Sequence, residues 1–495
     1  MTEPKSLVSV YGRRLRRTMF WALALAVAAC GGGGGGGGSG AVVTNPPFVP
    51  LLAGVRLSAT SPYSPDCDAA TSTGTLYEHA EVEPSMAVNA LNPANMVAAW
   101  QQDRWSDGGS HGLVTAASFD GGRTWTNANP AVSRCAGGSA ATAGDYERAS
   151  DPWLTFSADG TAFLLSLSFS GAILAPGSAS AMLVARSSDG GVHWGAPTTL
   201  IADGAAGFND KGSISGDPTD PLSVYAVWDR LSSDNRGPSY FTRTRDAGLS
   251  WESARAIYDP GVGNQTIGNL LIVLPGGALL VVFTELDGTA TGTTAALKVI
   301  RSDDQGISWS APIFIADERA TGTHDPGSGA LVRDGSELPS VAVDRSGVVY
   351  VVWQDSRFSG GARDGIALTR SLDGGLTWTT PRQVNGVPAA AAFTPTVRVR
   401  DDGVMGVSYY DLRNRSAATG TQVTDYWLAT STDAVSWHDT HVSGPFLLAT
   451  APNAEGLFLG DYQGLGVSGS EFLPVFVAVT GDLANRTDVF VVPIT

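Results

Sequence analysis

The chain has 495 residues and a formal net charge of −16 at pH 7, with 31 Lys and Arg against 47 Asp and Glu. So acidic a surface repels phosphate at any separation within the Debye length, which excludes nucleic acid as a partner. Only 16% of residues are charged while Gly reaches 61, Pro 27 and Trp 13, a balance that suits short strands and tight turns rather than helices, so an all-β chain is expected.

The N-terminus reads as an export signal. A basic stretch, Arg13-Arg14-Leu15-Arg16-Arg17, precedes an apolar run from Met19 to Ala29 that stops at Cys30. The run is shorter than the roughly 20 residues a membrane-spanning helix needs, so residues 1–30 read as a cleaved signal peptide. Val27-Ala28-Ala29-Cys30 resembles a bacterial lipobox, which would make Cys30 the lipidated first residue of the mature chain, and Gly31 after it points to the outer membrane of a Gram-negative cell. An ordinary cleavage site beside a free cysteine is the alternative, and the paired arginines also raise the twin-arginine route. Residues 31–50, opening with Gly31 to Gly38, read as a flexible tether, and 51–495 as a single domain. The expected location is the cell envelope, lipid-anchored, or else periplasmic or extracellular. Cleavage removes Lys5, Glu3 and four arginines, leaving the mature chain more acidic still.

Cys67 and Cys135 are the cysteines left after Cys30, and an even pair in an oxidising compartment reads as a disulfide; two separate small buried residues are the alternative. The six histidines are scattered without His-x-x-x-His spacing, and no Cys-x-x-Cys occurs, so no catalytic metal and no cofactor is expected, with a structural calcium in the channel left open.

From residue 81 onward one layout recurs. A paired-strand pattern, Pro84 to Val88 and then Asn95 to Trp100, is repeated at Asp151 to Leu167, Lys211 to Trp228, Ile267 to Phe283, Leu338 to Trp353, Thr394 to Tyr410 and Asp461 to Val479. After each of the first six comes a short turn motif. Ser118-Phe-Asp120-Gly-Gly122-Arg-Thr124-Trp125 is followed by copies centred on Asp189, Asp246, Asp304 and Asp373, and by a copy one residue short at Asp433. Asp and Ser side chains can bond to backbone groups of such a turn, Gly can take positive φ, and Trp can pack between sheets, so these six aspartates read as structural. The seventh pattern lacks the motif and ends the chain. A strand near Gly54 to Ser58 would complete its sheet and close a ring, hiding every edge.

The six motifs resemble the Asp box, and the chain from Glu81 to Thr495 resembles the sialidase (BNR repeat) family, including secreted bacterial sequences of the exo-α-sialidase type. That resemblance also runs through Glu83-Pro-Ser, Trp100 to Arg104, Tyr225 to Arg230, Trp353 to Arg357 and Gly460 to Leu465. It implies a β-propeller of seven blades, or six as in familiar sialidases if one unit is decoration. It also implies a glycan substrate ending in sialic acid or a related acidic sugar. No dimer surface is visible in the pattern, so a monomer that meets membrane only through its lipid is expected.

In a four-stranded blade the end of strand two and the start of strand one share a rim, opposite the Asp-box turns. Second-strand ends carry Asp103-Arg104, Asp229-Arg230, Glu285, Asp355 with Arg357, and Tyr409-Tyr410-Asp411 with Arg413. First-strand starts add Glu83, Arg148 with Asp151, Asp210-Lys211, Gln265 and Asp461-Tyr462. The resemblance implies Tyr410 (or Tyr409) as nucleophile, Glu285 as its base, Asp103 as acid/base, and Arg104, Arg230, Arg357 and Arg413 as sources of a carboxylate clamp. The chain departs from the family before its first blade, where Phe48-Val-Pro50 and Gly54-Val-Arg56-Leu do not reproduce the Arg-Ile-Pro motif. Two other readings stand beside this one. In the first, the rim Asp and Arg are inter-blade salt bridges of a non-catalytic propeller that binds glycans or proteins. In the second, two carboxylates such as Asp103 and Asp355 do the chemistry without a tyrosine.

Overall fold

A computed structural model describes residues 54–68, 74–289, 292–415, 420 and 422–495. The signal segment, Cys30 and the tether lie outside the described residues. The described chain is all-β apart from single 3-10 turns at Ala140–Thr142, Arg357–Ser359 and Leu448–Thr450. Its strands are runs of β-branched and aromatic residues such as Val349–Asp355, buried along its whole length because sheets cover both of its faces.

Antiparallel pairing groups the strands into seven four-stranded units. Their first strands are Val82–Val88, Arg148–Phe156, Gly207–Gly216, Asn264–Val273, Ser340–Val343, Ala392–Val399 and Gly464–Ser468. In the seventh unit the fourth strand is Val55–Arg56, which pairs with Asn485–Val491 and so joins the two ends of the described chain. Each first strand packs on the first strand of the next unit, and Gly464–Ser468 packs back on Val82–Val88. All seven line one central cavity of about 370 Å³. Hydrophobic clusters fill the spaces between successive units, with Trp100, Trp228 and Trp353 fully buried on second strands.

The turn motifs follow third strands and are held by their own side chains. At the first, the Ser118 hydroxyl donates to Asp120 at 2.9 Å and accepts from the Gly122 N–H, while Asp120 accepts from the Thr124 N–H and hydroxyl at 2.9 and 2.7 Å. Asp246, Asp304 and Asp373 accept the equivalent bonds, chiefly from Ser250, Ser308 and Thr377, which hold their carboxyls down to about 2. With each carboxylate bonded within its own turn, none of the six is placed to do chemistry. The motif glycines seat each turn against the preceding unit. Gly306 has φ +87° and a Cβ there would stand 2.4 Å from the buried Phe241 ring. Gly306→Ala is therefore expected to cost roughly 2 kcal/mol or more in urea unfolding. Gly403→Ala, at φ +84° in open space, should show only the backbone part of that loss.

A second regularity sets up the site. Five first strands carry a β-bulge near their start, at 82–85, 150–153, 210–213, 267–270 and 393–396. The bulged residues Glu83, Asp151, Lys211, Gly268 and Thr394 all have positive φ, between 38° and 67°. Left-handed backbone at a non-glycine residue is costly, and persists where the surroundings over-determine it, commonly at functional sites. Cys67 and Cys135 form a disulfide that ties the N-terminal segment to the loop between the first two units.

Candidate functional site

Three carboxylates from different units, two on bulges and one just before the seventh unit's first strand, meet one ammonium. Lys211 Nζ lies 2.8 Å from Asp151, 2.7 Å from Asp461 and 3.4 Å from Glu83. All four are nearly enclosed, with exposures of 8% for Lys211, 5% for Asp461, 3% for Asp151 and 1% for Glu83. Asp461 is further gripped by Arg333, whose Nε and Nη2 reach its two oxygens at 2.9 and 2.5 Å. A two-stranded insert brings this arginine in: Val332–Arg333 pairs in parallel with Leu457–Phe458. Arg104 and Arg333 both lie over the Phe458 ring, 4.8 and 4.6 Å from its centre. Arg104 donates to Gln101 at 2.6 Å, Gln101 donates to Glu83, and among the described residues the Arg104 Nε has no partner.

These surroundings drive the acids apart. Burial raises the Glu83 carboxyl to about 7, in spite of Lys211, with Asp151 and Asp461 adding to the rise. Asp461 is equally buried, but Arg333 and Lys211 outweigh that cost and hold it far below the carboxylate range. Burial and Asp151 lift Asp210 to about 6, and burial and Asp210 lift Asp229 well above its usual value. Lys211 loses by burial and gains more from Asp151, Asp461 and Glu83, so it stays charged. Tyr462, under the cluster with the Lys211 ammonium 5.8 Å from its ring centre, is pushed well up by burial and keeps its proton.

The residues expected to act from second-strand ends do not converge. Tyr410 is fully buried among Phe393, Tyr426 and Phe446, where its hydroxyl donates to the Val477 carbonyl at 2.7 Å and accepts from the Val477 N–H. Burial drives its phenol well above the usual value, and a core hydroxyl spent on backbone cannot be the nucleophile of an open site. Tyr409 instead donates to Asp439 and accepts from Arg413. Glu285 has a tyrosine, but it is Tyr258, which donates to it at 2.6 Å while Lys298 donates from the other side at 2.6 Å. This group shares no hydrogen bond with the Lys211 cluster among the described residues. Asp103 accepts from Ser61 at 2.5 Å, from the His79 N–H and from Gln102, and lies 3.2 Å from the His111 ring nitrogen. Those bonds overcome burial and keep it below the usual range, the wrong side for an acid/base at neutral pH.

Of the four clamp arginines, three are spent elsewhere: Arg230 on Asp203, Arg357 on Asp355, and Arg413 on Asp411 and Asp439. Asp355, also bonded by Trp353, is equally committed and does not pair with Asp103. Arg104 alone lies beside the Lys211 cluster. Tyr410→Phe is thus expected to leave any catalytic activity within twofold while lowering stability by about 1–3 kcal/mol, since the buried Val477 carbonyl loses its donor while the Val477 N–H keeps Gln463 as acceptor. Parallel assays and urea curves check both halves.

Sequence reasoning placed Glu83, Asp151, Lys211 and Asp461 on the right rim without giving them roles, and did not name Arg333. A signal was present: Glu83-Pro84, Asp151-Pro152 and Thr394-Pro395 put a proline, and Lys211-Gly212 a glycine, directly after the bulged residue.

No family model matches the chain. A xyloglucanase of a Paenibacillus species is 28% identical over 276 residues, which is 53% of this chain and 23% of that protein, so the match spans about a quarter of its relative. Among solved structures, a protein of unknown function from Dyadobacter fermentans is 15% identical, with a TM-score of 0.48 over 91% of this chain and 100% of that one. The Hadza microbial sialidase Hz136 is 15% identical, with a TM-score of 0.46 over 81% and 73%. The α-L-arabinofuranosidase Arb93A of Fusarium graminearum is 14% identical, with a TM-score of 0.44 over 69% and 92%.

Proposed function

We propose that this chain is an exported glycoside hydrolase, a closed seven-bladed propeller whose chemistry is done by carboxylates at the mouth of its axis. The observation that carries this reading is the opposed behaviour of two acids on one lysine. Glu83 is held near 7 and Asp461 far below the carboxylate range, and a pair of acids driven apart by its surroundings marks an acid and a base. Glu83 is the proton donor to the leaving oxygen. Asp461, always ionised, attacks or stabilises the sugar. Both reach the same nitrogen, at 3.4 and 2.7 Å, so their nearest oxygens are at most about 6 Å apart, a spacing that suits retention of configuration better than inversion. Arg104 beside them, its Nε without a partner among the described residues, favours a terminal sugar bearing a carboxylate, which keeps sialic acid as the first substrate to try. The Paenibacillus relative carries the name xyloglucanase, which supports a glycan substrate. Export, with a lipid on Cys30 and a monomer held at the cell envelope, completes the proposal.

One observation favours a second reading, a non-catalytic glycan- or protein-binding propeller: three of the four rim arginines are already paired with carboxylates. A panel of fluorogenic glycosides that includes a sialoside, assayed from pH 4 to 9, separates the two. Hydrolysis should fall as pH rises through about 7, where Glu83 loses its proton, with no opposing loss from Asp461 above pH 4. Glycan binding by folded protein with no turnover of any substrate selects the second reading.

A further inference from the structure

Below the Lys211 cluster the first strands enclose the central cavity, and a smaller one continues it upward beside Tyr462. Arg398 lines both. Its Nη1 donates to the adjacent Val397 carbonyl at 2.9 Å, and among the described residues no carboxylate forms an ion pair with it. Burial is the one influence on its guanidinium, which is pushed below its usual value. Among the described residues Asp461 is the only acid in the lining of either cavity, and its charge is met by Lys211 and Arg333. The hydroxyl of Tyr462 at the upper end has no partner among the described residues, and Trp153 packs edge-on against that ring at 5.5 Å. A cation inside a protein cavity with most of its N–H groups unmet is costly unless water or a counter-ion meets them.

We propose that this cavity is a binding site for a small inorganic anion of halide or nitrate size, held by the Arg398 guanidinium. Arg398 is part-buried and opens onto the cavity, so without a carboxylate partner among the described residues its fork is free to face an exchangeable anion, and a cavity of about 370 Å³ has ample room for one with its water. The carboxylates above do not repel it strongly, because Lys211 and Arg333 neutralise Asp461 and Glu83 is half protonated near neutral pH. The inference does not rest on the proposed hydrolase, since Arg398 contributes nothing to the acid pair.

The test follows melting of the whole mature chain in sodium bromide or nitrate for wild type, Arg398→Met and Arg398→Lys, the variants supplying the ionic-strength control. Wild type should rise saturably by roughly 2 °C or more beyond Arg398→Met, with Arg398→Lys keeping part of the shift. Crystals grown in bromide should show anomalous density at hydrogen-bond distance from Arg398. An equal response in wild type and Arg398→Met, or bromide absent from Arg398 in the crystal, overturns the proposal. If Arg398→Met does not fold, the Arg398→Lys shift and the bromide density decide.

Discussion

Replacing Lys211 with Met should destabilise the fold by about 3–5 kcal/mol, the usual loss when one partner of a buried charge group is removed. Three carboxylates from the first, second and seventh units meet at this one ammonium, Asp461 sharing it with Arg333, and all are at most 5% exposed. The penalty should also depend on pH. In wild type the Glu83 carboxyl is raised above its unfolded value of roughly 4.3, so its neutral form favours the folded state. That contribution is fully present below about pH 4 and is lost as pH rises through about 7. Without Lys211 the lowering influence on Glu83 disappears, and each further ionisation leaves an uncompensated charge. Urea unfolding at pH 5 and pH 8 should therefore show the larger loss at pH 8. A loss under 1 kcal/mol at both would mean that water, not Lys211, satisfies these acids.

Glu83→Gln should reduce hydrolysis of the best substrate by about 10²- to 10⁴-fold, the contribution typical of a positioned general acid. Glutamine keeps the shape of the side chain and can still accept from Gln101, so glycan affinity should change little, while the melting curve should fall somewhat because the new amide faces two donors, the Lys211 ammonium and the Asp461 N–H. The decline of activity above pH 7 should vanish with the carboxyl that causes it. Substrates whose leaving group needs no proton should lose least, which distinguishes lost acid catalysis from a displaced binding site. Activity within threefold of wild type would remove Glu83 from the chemistry and leave Asp210, raised to about 6 in the same mouth, as the next acid to replace.

The arrangement of the repeat was legible because its causes are local. The Ser118 to Trp125 turn bonds to itself, and Val349–Asp355 is a strand by composition. The pairing of Gly54 to Ser58 with the final strand followed from one missing fourth strand. Even the rim was legible, since antiparallel order alone puts second-strand ends and first-strand starts together. The choice between those two sets was not. First strands stand nearest the axis, so Glu83, Asp151, Lys211 and Asp461 can meet from three sides. Second-strand ends are one strand farther out, about 4.8 Å, and there Arg230 meets Asp203 and Arg413 meets Asp439 before anything can reach the centre.

Tyr410 illustrates the same limit. Its place beside Asp411 suggested a polar role, yet alternation along the strand sends its ring into the packing between the sixth and seventh units. By itself the sequence determined an all-β repeat of four-stranded units with self-bonded turns, because hydrogen bonds between near neighbours and period-two burial depend on adjacent residues alone. Only the tertiary structure decided which charges share a mouth, because Glu83, Lys211, Arg333 and Asp461 are separated by up to 378 residues and are brought together by bulges and a parallel insert whose effect is geometric.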